Sequence, residues 1–201
     1  MRIKGLFIKR FSSLKMRIIY WFFQYPRIIK YRFLSDCKQV QGKPKFNQPA
    51  IISGAGKILF GNNVQIGVKK SPFYYSGYCY IEARNESSKI RFGDNVIINN
   101  CCSFISGGEG IDIGKDTVIG SNCEFIDSDF HELNPSKRNE GTPKTARIVV
   151  GKNVFIGSNV KFLKGVTVGN NSVIANCSVV AKTVPENVVA GGNPAKVLRA
   201  L

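Results

Sequence analysis

The sequence predicts an all-β solenoid of short strands, preceded by a basic segment that is expected to be helical. Two observations carry this prediction. The chain repeats with a period of six from residue 150 to residue 185, and the same apolar spacing continues upstream in sets of three. With 43% hydrophobic and 21% charged residues among 201, the chain can bury a core and is typical of one globular domain.

The six-residue repeat is read from "VGKNVFIGSNVKFLKGVTVGNNSVIANCSVVAKTVP". A helix scatters residues six apart over all its faces, whereas short strands joined by tight turns place every sixth side chain equivalently. Glycine and asparagine near the second to fourth positions suit turns that need a positive φ or little side-chain bulk. The pattern therefore predicts a coil of short strands. The first residue of each hexamer is large and apolar: Val150, Ile156, Phe162, Val168, Ile174 and Val180.

Three hexamers make one rung of this coil. The preceding sets of three are Phe92, Ile98 and Phe104, then Ile113, Ile119 and Phe125. The step from Ile113 to Val150 is 37 residues instead of 18, which predicts an insertion of nineteen residues near 127–147, and three extra residues fall near "SGGEG". Like side chains are expected to stack along one edge: Phe104, Phe125, Phe162 and Val180. The expected divisions are a basic segment (1–50), the coil (51–184) and a C-terminal tail (185–201).

The N-terminal segment is strongly basic. Residues 1–45 hold twelve Lys or Arg against one acid, Asp36, in a chain of net charge +16. The stretch "LKMRIIYWFFQYPRIIKYRF" mixes aromatic, aliphatic and cationic residues, as interfacial helices do, and Pro26 divides it. Two interpretations stay open: contact with an anionic membrane surface, and packing on the open end of the coil to protect its edge strands. No nucleic-acid-binding motif accompanies the charge, so nucleic acid is not an expected partner.

Neither a membrane span nor a secretory signal is expected. No run of about 18 apolar residues occurs, and no small-residue cleavage site follows the N-terminal segment. The six cysteines form no CxxC pair and lie mostly in apolar repeats, which is typical of packing thiols in a reducing cytoplasm. We therefore expect a cytoplasmic protein, for which peripheral contact with the inner face of the cell membrane is one of the two open interpretations of the basic segment.

Residues 150–199 resemble the hexapeptide-repeat acyltransferases, in particular the branch of galactoside, maltose, capsule and O-antigen O-acetyltransferases. The motifs that carry the resemblance are "IVVGKNVFIGSNVKFLKGVTVGNNSVIANCSVVAKTVP" and "VVAGGNPAKVLR", and the resemblance extends over residues 51–201. It implies a left-handed parallel β-helix, acetyl-CoA as co-substrate, and a homotrimer with active sites between neighbouring prisms. No metal is expected, because a zinc carbonic anhydrase of similar architecture needs several histidine ligands and this chain has one histidine.

The single histidine, His131, lies in "FIDSDFHELNPSKR", at the start of the insertion. In the family a loop leaves the prism at this point and carries the catalytic histidine. The resemblance thus implies that His131 is the general base that takes a proton from the acceptor hydroxyl. It also implies that the backbone N–H of Ser158 holds the thioester oxygen. Asp127, Asp129, Glu132 and Arg138 are candidates for holding the imidazole or for contacting the acceptor; the alternative is that they only solvate the loop.

The resemblance implies a donor site along the outside of the prism. Residues expected at the pantetheine arm are Gly157, Ser158, Asn176 and Ala181, and those near the nucleotide end are Lys182, Lys196 and Arg199. Lys196 and Arg199 also suit a phosphorylated ligand on chemical grounds alone. Two residues depart from the family pattern. Ala181 stands where threonine is common, and Cys102 stands where sugar acetyltransferases often carry an acceptor-binding asparagine, which weakens the expectation of a simple sugar acceptor.

The expected function is acetyl-CoA-dependent O-acetyl transfer to a bacterial surface polysaccharide (capsule or O-antigen) or to its precursor, including a lipid-linked glycan. Two alternatives stay open. One is acetylation of an amino sugar nucleotide, of serine or of an antibiotic on the same prism. The other is a catalytically silent β-helix that serves as a structural or membrane-binding module. The sequence does not identify the sugar, the hydroxyl or the linkage.

Overall fold

The computed structural model of the chain describes residues 14–201. Residues 14–19 are α-helical, Tyr20–Gln24 form a π-helical turn, and Tyr25–Phe33 form helix α1. The part of the predicted basic segment that precedes residue 14 lies outside the described residues. Among the helices of residues 14–201, none combines the length and the apolar character needed to traverse a bilayer.

Short strands follow α1 along the chain. The first ten are β1 (Gln39–Gln41), β2 (Lys45–Phe46), β3 (Ala50–Ser53), β4 (Lys57–Phe60), β5 (Gln65–Ile66), β6 (Cys79–Ala83), β7 (Lys89–Phe92), β8 (Ile97–Ile98), β9 (Ser103–Ser106) and β10 (Ile111–Ile113). The next ten are β11 (Val118–Ile119), β12 (Glu124–Ile126), β13 (Ile148–Val150), β14 (Phe155–Ile156), β15 (Lys161–Phe162), β16 (Thr167–Val168), β17 (Val173–Ile174), β18 (Val179–Val180), β19 (Val188–Gly192) and β20 (Ala195–Ala200). A 3₁₀ turn, Pro135–Lys137, lies between β12 and β13.

Successive strands belong to three sheets in turn, which form the three faces of a prism. Sheet A contains β1, β4, β7, β10, β13 and β16. Sheet B contains β2, β5, β8, β11, β14, β17, β19 and β20, and sheet C contains β3, β6, β9, β12, β15 and β18. Neighbouring strands are parallel except β19 and β20, which are antiparallel. The predicted coil of short strands is therefore confirmed.

The predicted sets of three occupy paired positions on successive rungs. Phe92 pairs with Ile113, Ile113 with Val150, and Val150 with Val168. The aromatic column is confirmed as well: the rings of Phe104 and Phe125 stack with centroids 4.6 Å apart, and those of Phe125 and Phe162 with centroids 4.3 Å apart. These side chains are buried. Since full burial of one phenylalanine contributes about 1.5–3 kcal/mol, the column is a main source of stability.

The predicted boundaries of the coil need correction at both ends. Residues 39–46 were assigned to the basic segment, but β1 and β2 pair in parallel with β4 and β5 and begin the prism. Residues 185–201 were assigned to a tail, but β19 pairs in parallel with β17 and completes sheet B. Both segments carry fewer large apolar residues than the regular hexamers, so the six-residue apolar repeat does not reveal their strands. The first rung, formed by β1, β2 and β3, therefore lies directly next to α1 in the chain.

Polar side chains hold the helical segment on the prism. Gln24 is fully buried, and its Nε2 donates to the carbonyl oxygens of Asn47 (2.9 Å) and Tyr74 (3.0 Å). The Nη2 of Arg27 donates to the carbonyl oxygen of Gly77 at 2.6 Å. The outer aromatic residues of the segment are exposed instead: Trp21, Phe22, Phe23 and Phe33. The fully buried contact of this segment is therefore polar, whereas several of its aromatic residues face outward.

The turns between sheets A and B each hold a residue at a positive φ, which is Asp in one turn and Asn in the others. These residues form a column along the edge: Asn63, Asn95, Asp116, Asn153, Asn171 and Asn187. Side-chain hydrogen bonds join most successive members, as from Asn153 to Asn171 at 3.1 Å. The turns between sheets B and C have the same backbone conformation at a different set: Cys101, Asn122, Asn159 and Cys177. Asn is well suited to this conformation, whereas Cys is not.

Candidate active site

The predicted insertion leaves the prism after β12, at the edge between sheets C and A. Its two arms are joined near the base. The N–H of Ala146 donates to the carbonyl oxygen of Asp127 at 2.8 Å, and Ser128 and Thr145 form an antiparallel bridge. The N–H of Asp129 donates to the carbonyl oxygen of Lys144 at 3.0 Å. Residues 127–147, called the histidine loop below, therefore have a fixed base.

The carboxylate of Asp127 is fully buried beneath this loop. It accepts hydrogen bonds from the Oγ of Ser106 (2.7 Å) and from the N–H groups of Gly107 and Gly110 (2.6 Å each). These donors belong to the "SGGEG" segment, where the sequence holds three extra residues. Asp127 was predicted to contact the acceptor, but its side chain lies inside the protomer with its carboxylate oxygens already bonded. Its position gives it a structural role.

Asp129 forms an ion pair that anchors the loop. Its Oδ1 lies 2.6 Å from the Nζ of Lys164, which stands in the turn after β15. Its Oδ2 is buried and has no hydrogen-bond partner among the described residues. The turn that holds Lys164 is one rung further along the prism than the start of the loop, at the same edge. The ion pair therefore joins two successive turns.

His131 lies exposed on the histidine loop. Its Nδ1 is 3.3 Å from the carbonyl oxygen of Arg138. A carbonyl oxygen only accepts, so this contact requires a proton on Nδ1, and the Nε2 of the neutral ring then carries the free lone pair. The preceding Phe130 has a φ of 56°, and its ring centroid lies 4.5 Å from the guanidinium carbon of Arg84. These contacts fix the backbone beside the imidazole.

Of the residues predicted to hold the imidazole, Arg138 contacts it, but through its main chain and not its side chain. The main-chain oxygen of Arg138, not a carboxylate, contacts the ring. The guanidinium of Arg138 is exposed and lies 3.4 Å from the carbonyl oxygen of Leu133. Within the loop, the carboxylate of Glu132 accepts from the N–H of Leu133 at 2.9 Å. Because the Arg138 side chain is exposed and makes only the long contact with Leu133, its other N–H groups can bind a ligand.

Gly157, Ser158 and Asn176 meet in a surface groove of about 430 Å³ on sheet B. The exposed side chains of Val118 and Phe155 contribute to its wall. A Cβ on Gly157 would lie 2.3 Å from the Oδ1 of Asn176, so glycine is required at this close approach. The groove is apolar with a few polar groups, as ligand sites often are.

The N–H of Ser158, predicted to hold the thioester oxygen, donates to the Oδ1 of Asn176 at 2.8 Å. The Oγ of Ser158 lies 3.2 Å from both the N–H and the Oγ of Ser121. The turn is thus closed by hydrogen bonds to its two neighbouring turns. A ligand oxygen reaches this N–H only after the Asn176 side chain has released it.

The groove and the histidine loop lie at two different edges of sheet C, and the predicted donor residues are divided between these edges. Ser158 and Asn176 stand in turns between sheets B and C, whereas the histidine loop leaves at the edge between sheets C and A. Ala181 and Lys182, both exposed, follow β18 at that second edge. About five residues of chain cross sheet C between the two edges, a span of roughly 15 Å. One protomer alone therefore presents two half-sites.

Lys196 and Arg199 lie on one face of β20 because of an irregularity in its pairing. Lys196 pairs with Gly191 and Arg199 with Val189, and Leu198 is the extra residue on β20. Positions two apart on β19 point to the same side, so their partners do as well. Without the extra residue, side chains three apart would face opposite sides of the strand. Both cations are exposed on this face.

Cys102 lies inside the prism and cannot reach an acceptor. Its side chain is fully buried, and its Sγ donates to the carbonyl oxygen of Gly120 at 3.1 Å. Burial raises the pKa of its thiol well above the ordinary value, so the group stays neutral. The predicted acceptor contact at Cys102 therefore needs correction. Within residues 14–201 no group of three or more His, Cys, Asp or Glu is placed to hold a metal ion.

Sequence reasoning missed Lys164, Arg84 and the backbone donors of Gly107 and Gly110. The sequence repeat could have identified Lys164, because the turn after β15 occupies the same position on its rung as the start of the histidine loop after β12. The extra residues at "SGGEG" likewise indicated a second loop on the adjacent rung. Arg84 gave no signal, since its contact with Phe130 depends on how the two loops bend.

Comparison with known proteins identifies relatives. Residues 147–182 match a family described as bacterial transferase hexapeptide (six repeats). WbbJ of Escherichia coli (strain K12), a candidate lipopolysaccharide biosynthesis O-acetyl transferase, is 31% identical over 160 residues, which cover 75% of this chain and 76% of WbbJ. A candidate acetyltransferase of Staphylococcus aureus (strain COL) is 44% identical over 110 residues, which cover 55% of this chain and 54% of that protein.

A solved structure supports the fold. AntD, an N-acyltransferase from Bacillus cereus in complex with dTDP and 3-hydroxybutyryl-CoA, has a TM-score of 0.57 at 23% identity, with 89% of each chain covered. The chain spans little more than half the length of the Staphylococcus aureus relative, but three quarters of WbbJ. On the strength of the repeats, the three-sheet prism and the extended match to WbbJ, the chain belongs to the hexapeptide-repeat acyltransferase family.

Proposed function

We propose that the chain transfers the acetyl group of acetyl-CoA to a hydroxyl of a bacterial surface polysaccharide, capsule or O-antigen, or of its precursor. The single observation that carries the proposal is the arrangement of His131. The ring is exposed on the loop after β12, its Nδ1 faces a carbonyl oxygen, and its Nε2 has no hydrogen bond among the described residues. A base with one nitrogen fixed and the other free suits proton removal from a hydroxyl. The match to WbbJ supports an oxygen acceptor.

The reaction requires two proton transfers, one to His131 and one from it. The Nε2 of His131 takes the proton of the acceptor hydroxyl while that oxygen attacks the carbonyl carbon of the thioester. The carbon–sulfur bond then breaks, and the departing thiolate takes the proton from the imidazolium. A positioned general base contributes about 10²–10⁴ to the rate.

The donor is proposed to lie along the groove that contains Gly157, Ser158 and Asn176 and to continue past Ala181 and Lys182. Lys196 and Arg199 then face the phosphates of coenzyme A, where a guanidinium and an ammonium supply charge-assisted hydrogen bonds. The Ser158 N–H stabilises the thioester oxygen in this arrangement once the Asn176 amide has released it. Asp129 and Arg138 lie on the histidine loop, where an acceptor would approach.

The assembly is proposed to be a C3 homotrimer of left-handed coils. The support comes from the two half-sites, which lie at different edges of sheet C within one protomer. A three-fold assembly brings the histidine loop of one protomer to the groove of the next and so completes the site. Light scattering at micromolar concentration is expected to give the mass of three chains, and a monomer mass would contradict the assembly.

Peripheral contact with an anionic membrane from the cytoplasmic side is proposed for the helical segment. Its support is the set of outward-facing aromatic residues, which includes Phe22 (73% exposed) and Phe33 (89% exposed), on a helical segment that also carries exposed cations such as Lys30. The double variant Phe22→Ser with Phe23→Ser is expected to lose flotation with vesicles of phosphatidylglycerol and phosphatidylcholine. Equal flotation of the variant and the parent protein would contradict membrane contact through these residues.

The activity is tested by release of free thiol from acetyl-CoA in the presence of a panel of purified surface glycans. His131→Asn is expected to lower turnover by about 10²–10⁴-fold, whereas Leu133→Asn, an exposed change on the same loop, is the matched control. Nuclear magnetic resonance of the product distinguishes an O-acetyl from an N-acetyl group. Near-normal turnover of His131→Asn would remove the histidine from the mechanism, and an N-acetyl product would favour the amino-sugar alternative.

A further inference from the structure

A cavity of about 490 Å³ lies between α1 and the first rung of the prism, on the side away from the candidate active site. It opens between α1, the segment that follows it and the turn between β1 and β2. Its lining includes Ile28, Arg32, Val40, Lys43, Phe46 and Ile52. Its volume falls in the range of small-molecule sites, about 300–1,000 Å³.

Hydrogen bonds at both ends of α1 hold the cavity open. At the N-terminal end, Gln24 and Arg27 are bonded to carbonyl oxygens of the prism and its loops. At the C-terminal end, the Oγ of Ser35 accepts from the N–H of Ile52 at 3.0 Å, and the N–H of Cys37 donates to the carbonyl oxygen of Ile52 at 3.2 Å. The helix therefore spans the end of the prism and is fixed at both sides of the cavity.

The wall of the cavity is mainly apolar. Ile28 comes from α1, whereas Val40, Phe46 and Ile52 belong to the first rung and form the end of the hydrophobic core. Burial raises the pKa of the Cys37 thiol, so this side chain also contributes a neutral surface. A hydrocarbon chain suits such a wall, since it removes apolar surface from water.

Two cations add a polar end to this site. Arg32 of α1 and Lys43 of the β1–β2 turn both line the cavity, and its lining includes no acidic residue. Within residues 14–201 neither side chain forms a hydrogen bond or an ion pair with another described residue. A guanidinium and an ammonium without protein partners are suited to a carboxylate or a phosphate.

We infer that this cavity, which we call the amphiphile site, binds a single-chain amphiphile with an anionic head group: the chain lies on Ile28, Val40, Phe46 and Ile52, and the head group is held by Arg32 and Lys43. The shared chemistry is an alkyl chain that ends in a carboxylate or a phosphate. The inference goes beyond the acetyl transfer proposed above and does not depend on it.

The test is calorimetric titration of the full chain with four probes below their micelle-forming concentrations: dodecyl phosphate, dodecanoate, dodecanol and inorganic phosphate. One equivalent of an anionic dodecyl probe is expected to bind per protomer, and the tighter of the two identifies the head group. Inorganic phosphate alone is expected not to bind. In addition, the bound probe is expected to slow alkylation of Cys37 while the exposed Cys177 reacts as before.

Matched variants on α1 locate the site. Arg32→Gln is expected to weaken the anionic probes by about ten- to a hundredfold, whereas Lys30→Gln, an exposed cation of the same helix, leaves them unchanged. Ile28→Trp is expected to fill the cavity and abolish binding, whereas Ile29→Trp, at the adjacent exposed position, retains it. These readouts involve no acetyl transfer, so their failure is distinct from failure of the proposed enzyme activity.

Three outcomes would overturn the inference. Absence of saturable binding to the full chain would mean that the cavity is closed or is filled by the chain itself. Equal losses in each matched pair would mean that the probe adheres to the outer aromatic residues or to basic surface in general. Unchanged alkylation of Cys37 in the presence of saturating probe would place the probe elsewhere.

Discussion

The ammonium nitrogen of Lys164 lies 2.6 Å from the Oδ1 of Asp129, and both side chains are largely shielded from solvent. This ion pair joins the histidine loop to the turn after β15. It is one of two ion pairs between the loop and the prism among the described residues, and it lies nearer to His131 in sequence than the other, which joins Arg147 to Asp112 at 3.6 Å. The position of His131 relative to the acceptor is therefore expected to depend on it.

Lys164→Met is expected to lower kcat for acetyl transfer by about ten- to a hundredfold, because a base displaced by about 1 Å loses much of its effect. The KM for acetyl-CoA is expected to change little, since Lys164 is not among the residues proposed to hold the donor. Steady-state kinetics at saturating donor measure both values. The control is Lys161→Met, which removes an ion pair with Glu124 (3.1 Å) on the same sheet. Equal losses in the two variants would mean that the Lys164 contact has no special role.

Asp127→Ala is expected to reduce the free energy of unfolding by about 3 kcal/mol or more. The change leaves a buried hydroxyl and two buried N–H groups without an acceptor, and each such group costs about 1–3 kcal/mol. Urea unfolding measures the loss. Glu124→Ala is the control, because Glu124 pairs with Lys161 at the surface and such pairs contribute about 0–1 kcal/mol. A loss below that of the control would show that Asp127 does not support the loop.

Lys196→Gln and Arg199→Gln are each expected to raise the KM for acetyl-CoA by about ten- to a hundredfold with kcat almost intact. The phosphates of the donor do not change charge during acetyl transfer, so the lost contacts contribute uniform binding. Acetyl-dephospho-CoA is the control ligand, because a residue that contacts the 3′-phosphate has little more to lose when that group is absent. If both variants discriminate between the two donors as the parent does, neither residue contacts the 3′-phosphate.

Tyr74 is expected to make the fold sensitive to alkaline pH. The side chain is 4% exposed, and burial raises its pKa from 10.0 to about 12. Between these values the unfolded chain loses the phenolic proton while the folded chain keeps it, so the free energy of unfolding falls as pH rises. Two pH units correspond to a loss of about 2–3 kcal/mol.

Tyr74→Phe is expected to remove this loss, because the substituted ring has no proton to release. Thermal unfolding between pH 9 and pH 12 compares the variant with the parent and with Tyr75→Phe, a change at the more exposed ring beside it (47% exposed). An identical pH dependence for all three proteins would mean that Tyr74 does not cause the alkaline loss.

Cys177→Asn is expected to stabilise the fold by up to about 1 kcal/mol, since Cys177 has a φ of 59° that Asn adopts more readily. The new amide also lies one rung beyond Asn159, which already accepts a hydrogen bond from Asn122 at 2.8 Å. Cys177 is exposed, so no core packing is lost. Cys177→Val, with a β-branched side chain, is expected to lower the melting temperature. A higher melting temperature for Val than for Asn would contradict the backbone argument.

The regular part of the fold could be predicted because its core positions recur at fixed intervals. Phe104, Phe125 and Phe162 are separated by a full rung each, and their stacking follows from that spacing. The first rung could not be predicted, because "KQVQGKPKF" offers only Val40 and Phe46 as apolar markers. The docking of the helical segment through Gln24 was also beyond prediction, since surface helices usually place polar residues outward.

At the candidate site, the interruption of the period located the histidine loop. The periodicity does not say which way a side chain inside an irregular loop points, so the burial of Asp127 required the structure. Contacts between successive turns, such as that of Asn176 with Ser158, depend on side-chain rotamers that spacing alone does not specify. The common face of Lys196 and Arg199 depends on one extra residue in β20, which the sequence pattern does not reveal.

The long step between two rungs has an evolutionary consequence. Closing a segment of 37 residues instead of 18 costs only about 0.6 kcal/mol of chain entropy, and Phe125 and Phe162 stack across it as neighbours do elsewhere. The stability of the prism thus depends little on the length of the loop, so the loop can be exchanged for another. Natural variants and grafted chimaeras that differ only between residues 127 and 147 are therefore the place to look for changed acceptor preference with an unchanged donor groove.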